Sequence, residues 1–226
     1  QPTVIKFGDK TVEEIKSQLR TLNAAVFGDR DNPKGQPGIL YDLSQLDHAV
    51  RDANETLRGL RADIRRGVFS VKETIPVPAG TTTLTLLYPE WLPGHHAPLG
   101  PLADVADLKF LAGSKLLNWR RDTVEVHAFH VDVPPGTSEV TASFVYTSPL
   151  QPSEGRIVMT QEMLNLQWDA MSLYPAGHFV RRIRVKPSVT FPHGWTAATA
   201  LDGKQVSGDK VTWAEVDYET LVDSPI

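Results

Sequence analysis

VFSVKETIPVPAGTTTLTLLYP, residues 68–89, is the stretch on which the fold turns. Its first half is rich in β-branched and aromatic residues, and its second half alternates threonine with leucine before a proline. Pro78-Ala79-Gly80 separates the halves with turn chemistry. A period of two, broken by Pro and Gly, predicts two strands and no helix. The same texture continues downstream in DTVEVHAFHVDVP (122–134), EVTASFVYTS (139–148), VRRIRVKPSVTF (180–191) and KVTWAEVDY (210–218). PPGTS (134–138), PHGW (192–195), DGK (202–204) and SGD (207–209) supply turns between them. Short strands at this spacing predict a mainly β domain over 68–226, an antiparallel β-sandwich or a saddle-like sheet.

Upstream the pattern changes. Thr11 with Glu14 has capping-box spacing, and Ile15, Leu19, Leu22 and Val26 recur every three or four residues. DRDNPKGQPG (29–38) is loop chemistry. Leu43, Leu46, Val50, Ala53, Leu57, Leu60 and Ile64 then alternate spacings of three and four, an a/d seam. Residues 1–67 are therefore expected to form a helical N-terminal segment. Either it is a hairpin laid on the β domain, or a coiled coil that pairs two chains through residues 43–64. A mixed form, with Ile39–Leu43 as a strand, fits the same letters.

Composition removes several functions. The 226 residues carry a net charge of −4 and no cysteine. Thiol catalysis, disulfides and cysteine-ligated metal are excluded. The acidic balance offers no footprint for nucleic acid, and no apolar run reaches the length of a membrane span. Charge is unevenly spread: residues 1–67 hold 11 Lys/Arg against 10 Asp/Glu, and residues 68–226 hold 12 against 17. The start at Gln1 suggests a processed or truncated chain, and with the missing cysteine it fits a periplasmic or secreted protein better than a cytoplasmic one.

No H-E-x-x-H, G-x-S-x-G or phosphate-loop motif occurs, so no catalytic residue and no metal ligand is assigned within the chain. Two stretches remain. Gly94, His95 and His96 lie in LYPEWLPGHHAPLGP (87–101), a proline-stiffened loop suited to shaping a cleft. If 163–169 is extended, Met163, Asn165, Gln167 and Asp169 share one face and Leu164, Leu166 and Trp168 the other. The first row would orient a ligand by hydrogen bonds, since amides are not bases at neutral pH. His127 and His130, three apart on one expected strand, point to opposite faces and share no metal, with His130 hydrogen-bonded and half-buried. Trp119-Arg120-Arg121-Asp122 suggests an ion pair at a ladder end.

The runs LYPEWLPGHHAPLGP, NWRRDTVEVHAFHVDVPPG and GRIVMTQEMLNLQWDAMSLYPAG, with the closing YETLVDSPI, resemble the N-terminal domain of bacterial glycyl aminopeptidase-type zinc metallopeptidases, which often also carry a PDZ domain. The similarity spans about residues 64–226. It implies an all-β module ahead of a thermolysin-like domain that holds zinc through H-E-x-x-H, so zinc belongs to the parent enzyme and no cofactor to this chain. LVDSPI resembles the point where the family chain passes into that catalytic domain. The implied partners are a peptide substrate and the downstream domain. The implied role is to wall the substrate cleft and help bind the peptide N-terminus, with Gly94, His95, His96, Asn165, Gln167 and Asp169 as candidates. Family members enter the VFSVKET strand from another strand; residues 1–60 are not matched, and Ile39–Leu43 could supply it. The rival reading is a stand-alone β-sandwich module for peptide or glycan, with Trp91, Trp119 or Trp168 as its platform and a coiled-coil dimerising segment ahead of it.

Overall fold

The structure is a computed structural model, described here for residues 3–7, 59, 63–91, 97–98, 100–153 and 158–226. The capping box at Thr11, the strand alternative at 39–43 and nearly all of the 43–64 seam lie outside the described residues.

Thirteen strands are formed among the described residues: β1 (Thr3–Phe7), β2 (Val68–Pro76), β3 (Thr83–Leu87), β4 (Val105–Ala112), β5 (Lys115–Leu116), β6 (Trp119–Arg121), β7 (Ala128–Asp132), β8 (Glu139–Thr147), β9 (Tyr174–Pro175), β10 (Arg184–Thr190), β11 (Gln205–Ser207), β12 (Lys210–Thr212) and β13 (Val216–Asp217). The larger sheet runs β11-β12-β10-β1-β2-β8-β4-β5, with β13 also on β10; the smaller runs β6-β7-β3-β9. The mainly β expectation holds. Every pairing is antiparallel except β1 on β10.

The helical expectation for all of 1–67 needs a correction at its start. Thr3–Phe7 is a strand inserted between β10 and β2. The neighbour of the VFSVKET strand is thus this N-terminal stretch, whose TVIKF letters are β-branched and aromatic. Just before β2, residues 63–66 are helical and stop at Gly67. Gly67 has φ of 65°, and a Cβ there would lie 2.9 Å from the Ser148 carbonyl oxygen, so the turn into β2 requires glycine.

The core follows from alternation. On β2, Phe69, Val71, Glu73 and Ile75 point inward; on β8 their partners Tyr146, Phe144, Ala142 and Val140 do the same. Leu84 and Leu86 of β3 and Phe129 and Val131 of β7 face them from the smaller sheet within one continuous core. Trp119 bridges the layers edge-on, with ring centroids 5.9 Å from Phe110 and 5.6 Å from Phe129.

Two strand expectations are shortened. Residues 122–127 alternate in sequence yet form a turn, because Asp122 Oδ1 accepts from the backbone N–H of Val124 (2.9 Å) and Glu125 (3.0 Å). Val124 is accordingly 90% exposed, and β7 begins only at Ala128. In 180–191 the first three residues are a 3-10 turn, and β10 starts at Arg184.

Candidate functional site

Gly94, His95 and His96 lie outside the described residues. The segments flanking them are fixed: Trp91 bridges Pro98, and Gly100 donates its N–H to the Glu90 carbonyl at 3.0 Å. A Cβ on Gly100 would stand 2.0 Å from the Pro89 oxygen, so only glycine lets the loop close there.

The row expected on 163–169 holds as far as Gln167. Met163 is exposed, Asn165 and Gln167 are half-buried, and Leu166 and Trp168 are in the core. The extended run is held by Asn165 N–H to the Val158 carbonyl and by a reciprocal pair between Leu166 and Ile226. Trp168–Met171 then coil into a 3-10 turn, and Asp169 leaves the row. This corrects the shared face of Asn165, Gln167 and Asp169. Asp169 is buried, with Oδ1 accepting the Ala170 N–H, and Asn165 Oδ1 is enclosed without a hydrogen-bond partner. Trp168 is fully buried, donates Nε1–H to the Ser224 carbonyl at 3.0 Å and meets Trp213 edge-on, so it is no ligand platform. Trp119 is taken up in its aromatic bridge, whereas Trp91 is 64% exposed.

Trp91 overhangs a cleft of about 400 Å³. Asp169 and Tyr174 line it from the 168–175 segment; Tyr218, Glu219 and Asp223 come from the closing helix Tyr218–Val222 and its end. That helix starts because Asp217 Oδ1 accepts the Thr220 N–H, and it is pinned from inside by a 2.7 Å bond between Tyr218 and Ser172 hydroxyls. Among the described residues, the cleft lining includes three carboxylates and no basic side chain. Arg181 sits outside and clamps Glu219 through two bonds, 2.5 and 2.8 Å. Burial foremost raises the pKa of the Tyr88, Tyr146 and Tyr218 hydroxyls, Tyr146 to about 12, with the Asp169 carboxylate a smaller contributor behind Tyr146, Asp104 and Glu73 respectively.

Beside the cleft is a group that the letters did not bring together. Tyr88 extends the β3–β7 ladder by donating its N–H to the His127 carbonyl, and its ring lies nearly parallel to the imidazole. This sets Glu90 and Glu125 on either side of His127, each with a carboxylate oxygen 3.9 Å from Nδ1. The three donor atoms lie within 4.8 Å of one another. Tyr174 lines the cleft, and burial first, then the charges of Glu90 and Glu125, raise its pKa. E-x-H at 125–127 was the available sequence signal; pairing His127 with His130 obscured it. His130 behaves as expected, half-buried with Nε2 2.8 Å from Asp122 and Nδ1 3.0 Å from Thr85. The expected arginine–aspartate pair at 119–122 is replaced: Arg121 donates to the Val126 carbonyl, and Asp122 serves His130 and the turn.

No curated protein matches the chain. Among solved structures it is similar to an aminopeptidase N family protein from Idiomarina loihiensis, with 16% identity, a TM-score of 0.57, and coverage of 71% of this chain and 26% of that one. An M1 zinc metallopeptidase from Deinococcus radiodurans bound to a Tyr-Ser-Ala substrate is matched at 14% identity over 67% of this chain and 35% of that one, with a TM-score of 0.32. The chain thus spans about a quarter to a third of those proteins. The model of the Peptidase M61 N-terminal domain matches residues 60–226, and with that span the chain belongs to the Peptidase M61 N-terminal domain family.

Proposed function

We propose that this chain is the non-catalytic, cleft-forming domain of a zinc aminopeptidase of the glycyl type, and that it helps hold the free N-terminus of a peptide. The observation that carries the reading is the cleft, walled by Trp91 and tyrosines and carrying the carboxylates of Asp169, Glu219 and Asp223 among its described lining residues. An ammonium group is the complement of such a lining, because charge-assisted bonds to carboxylates strengthen where water is excluded. Asp169, set deepest, is the residue assigned to the amine. Exposed Trp91 and Phe179 at this side of the domain offer apolar surface to the downstream domain.

Hydrolysis is assigned elsewhere. Zinc in such enzymes polarises the scissile carbonyl and activates water. The H-E-x-x-H residues that would hold it are not in this sequence, so no step of the reaction is given to these residues.

The test is titration of the 226-residue chain with a glycyl peptide and with its N-acetylated twin, followed by NMR. Shifts around Asp169 and Tyr174 with the free amine only, weakened about tenfold or more in Asp169→Asn, are expected. Equal binding of both peptides, or zinc-dependent release of glycine by this chain alone, would overturn the reading.

A further inference from the structure

We propose that Glu90, Glu125 and His127 form a binding site for one divalent transition-metal ion, departing from the expectation that the chain holds no metal ligand. Two independent observations support it. The first is geometric. One carboxylate oxygen from each glutamate and His127 Nδ1 converge within 4.8 Å. Atoms 3.9 Å apart can both lie about 2.1 Å from a single ion, the length of zinc bonds to nitrogen and oxygen. The angle at the ion would be roughly 135° at that length, and rotation of the exposed Glu125 side chain narrows it.

The second observation is that His127 Nδ1 is enclosed and has no hydrogen-bond partner. Both carboxylates are too distant to bond to it directly, since hydrogen bonds of this kind end near 3.2 Å. A buried ring nitrogen left unpaired is costly, and two carboxylate oxygens lie 3.9 Å from it. Among the described residues, no lysine or arginine pairs with either glutamate. The local chemistry is therefore one nitrogen donor and two carboxylates, without a balancing cation.

The donor set also decides the kind of ion. An imidazole nitrogen favours zinc and its transition-metal neighbours, whereas magnesium and calcium prefer oxygen alone. Three protein donors leave a position for water or another ligand. The supports are rigid: Tyr88 stacks on the imidazole, and Asp122 fixes the turn through the Glu125 N–H. A bound ion would tie the 89–91 segment, and hence Trp91, to the 122–127 turn.

The experiment is calorimetric titration of the 226-residue chain with zinc and, separately, with magnesium, plus the visible spectrum of the cobalt-loaded chain. One zinc equivalent is expected, with no magnesium binding and with cobalt bands of a low-coordinate nitrogen–oxygen site. Glu125→Gln should weaken zinc about tenfold or more, and His127→Ala should abolish the site. His95→Ala/His96→Ala should leave it intact. Glu125 is exposed, so its variant tests the site even where His127→Ala fails to fold. Absence of zinc binding, binding untouched by Glu125→Gln, or loss only in the His95/His96 variant would each overturn the assignment.

Discussion

Replacing Glu73 with glutamine should flatten part of the pH dependence of stability. Glu73 lies on the inward phase of β2, between Val71 and Ile75, and is completely buried. Oε2 accepts the Leu173 N–H at 2.9 Å, and Oε1 has no partner. Burial pushes its pKa up to about 8 from an ordinary 4.5, against the opposing effect of the Leu173 bond. The folded chain therefore holds a proton there that the unfolded chain releases above about pH 4.5. Stability from this group is complete below the unfolded value and falls as pH rises towards the folded value. At about 1.4 kcal/mol per pH unit of separation, the loss is roughly 3–4 kcal/mol between about pH 5 and pH 8. Glutamine has the same shape, still accepts from Leu173 and does not titrate. Urea denaturation of both proteins at steps of pH isolates the effect, because every other side chain is the same in both. The variant should become the more stable of the two as pH rises. A stability difference that stays flat from about pH 5 to pH 8 would refute the protonated, buried Glu73.

Two further outcomes follow from the loops around the site. Gly100→Ala places a Cβ 2.0 Å from the Pro89 oxygen, and as backbone cannot yield as a side chain does, a loss of about 1–3 kcal/mol in thermal or urea denaturation is expected. The hydrogen bond from His130, then those from the Val124 and Glu125 amides, hold the Asp122 carboxyl well below its ordinary 3.8. Its contribution is present above that ordinary value and lost as pH falls toward the folded one, so the stability gap between the wild type and Asp122→Asn should close on acidification below about pH 4. A gap that persists unchanged to about pH 2 would exclude the interaction.

The letters revealed the fold where side chains alternate against a core. β2 and β8 span nearly their expected ranges, and Glu73 is out of character on a row that also holds Phe69, Val71 and Ile75. They misled where a polar side chain satisfies the backbone locally. Asp122 draws 122–125 into a turn although 122–134 alternates almost throughout, and the 3-10 turn at Trp168–Met171 rotates Asp169 out of the row with Gln167. The partner of the β2 strand could not be read either, because β1 is recruited from more than 60 positions upstream. The cleft and the Glu90–Glu125–His127 group depend on a non-local register. β3 and β7 are not a hairpin, so no turn sets their alignment. Once Leu87 is known to face Ala128, counting three places on puts Glu90 against Glu125, with His127 two residues beyond.

The placement of charge gives these separate features a common consequence. Residues 68–226 carry five more acidic than basic side chains. Much of that excess is gathered at one side, with Asp169, Glu219 and Asp223 on the cleft and Glu90 and Glu125 beyond Tyr174. Glu219 is clamped by Arg181. Nothing in folding demands such a concentration, since like charges this close oppose compaction and an even spread would keep the domain soluble at less cost. A surface that attracts cations does require it. The two assigned sites then differ in chemistry within one field: the cleft, apolar-walled, suits an ammonium group carried on a peptide, and the His127 group, with its nitrogen donor, suits a metal. They are separable by substitution, because Asp169→Asn removes a cleft carboxylate and leaves the metal donors, while Glu125→Gln does the reverse. Both should weaken as salt rises over a Debye length of about 10 Å at 0.1 M, the exposed outer carboxylates first. Binding of either cation that proved indifferent to salt would show that the clustered charge contributes nothing to capture.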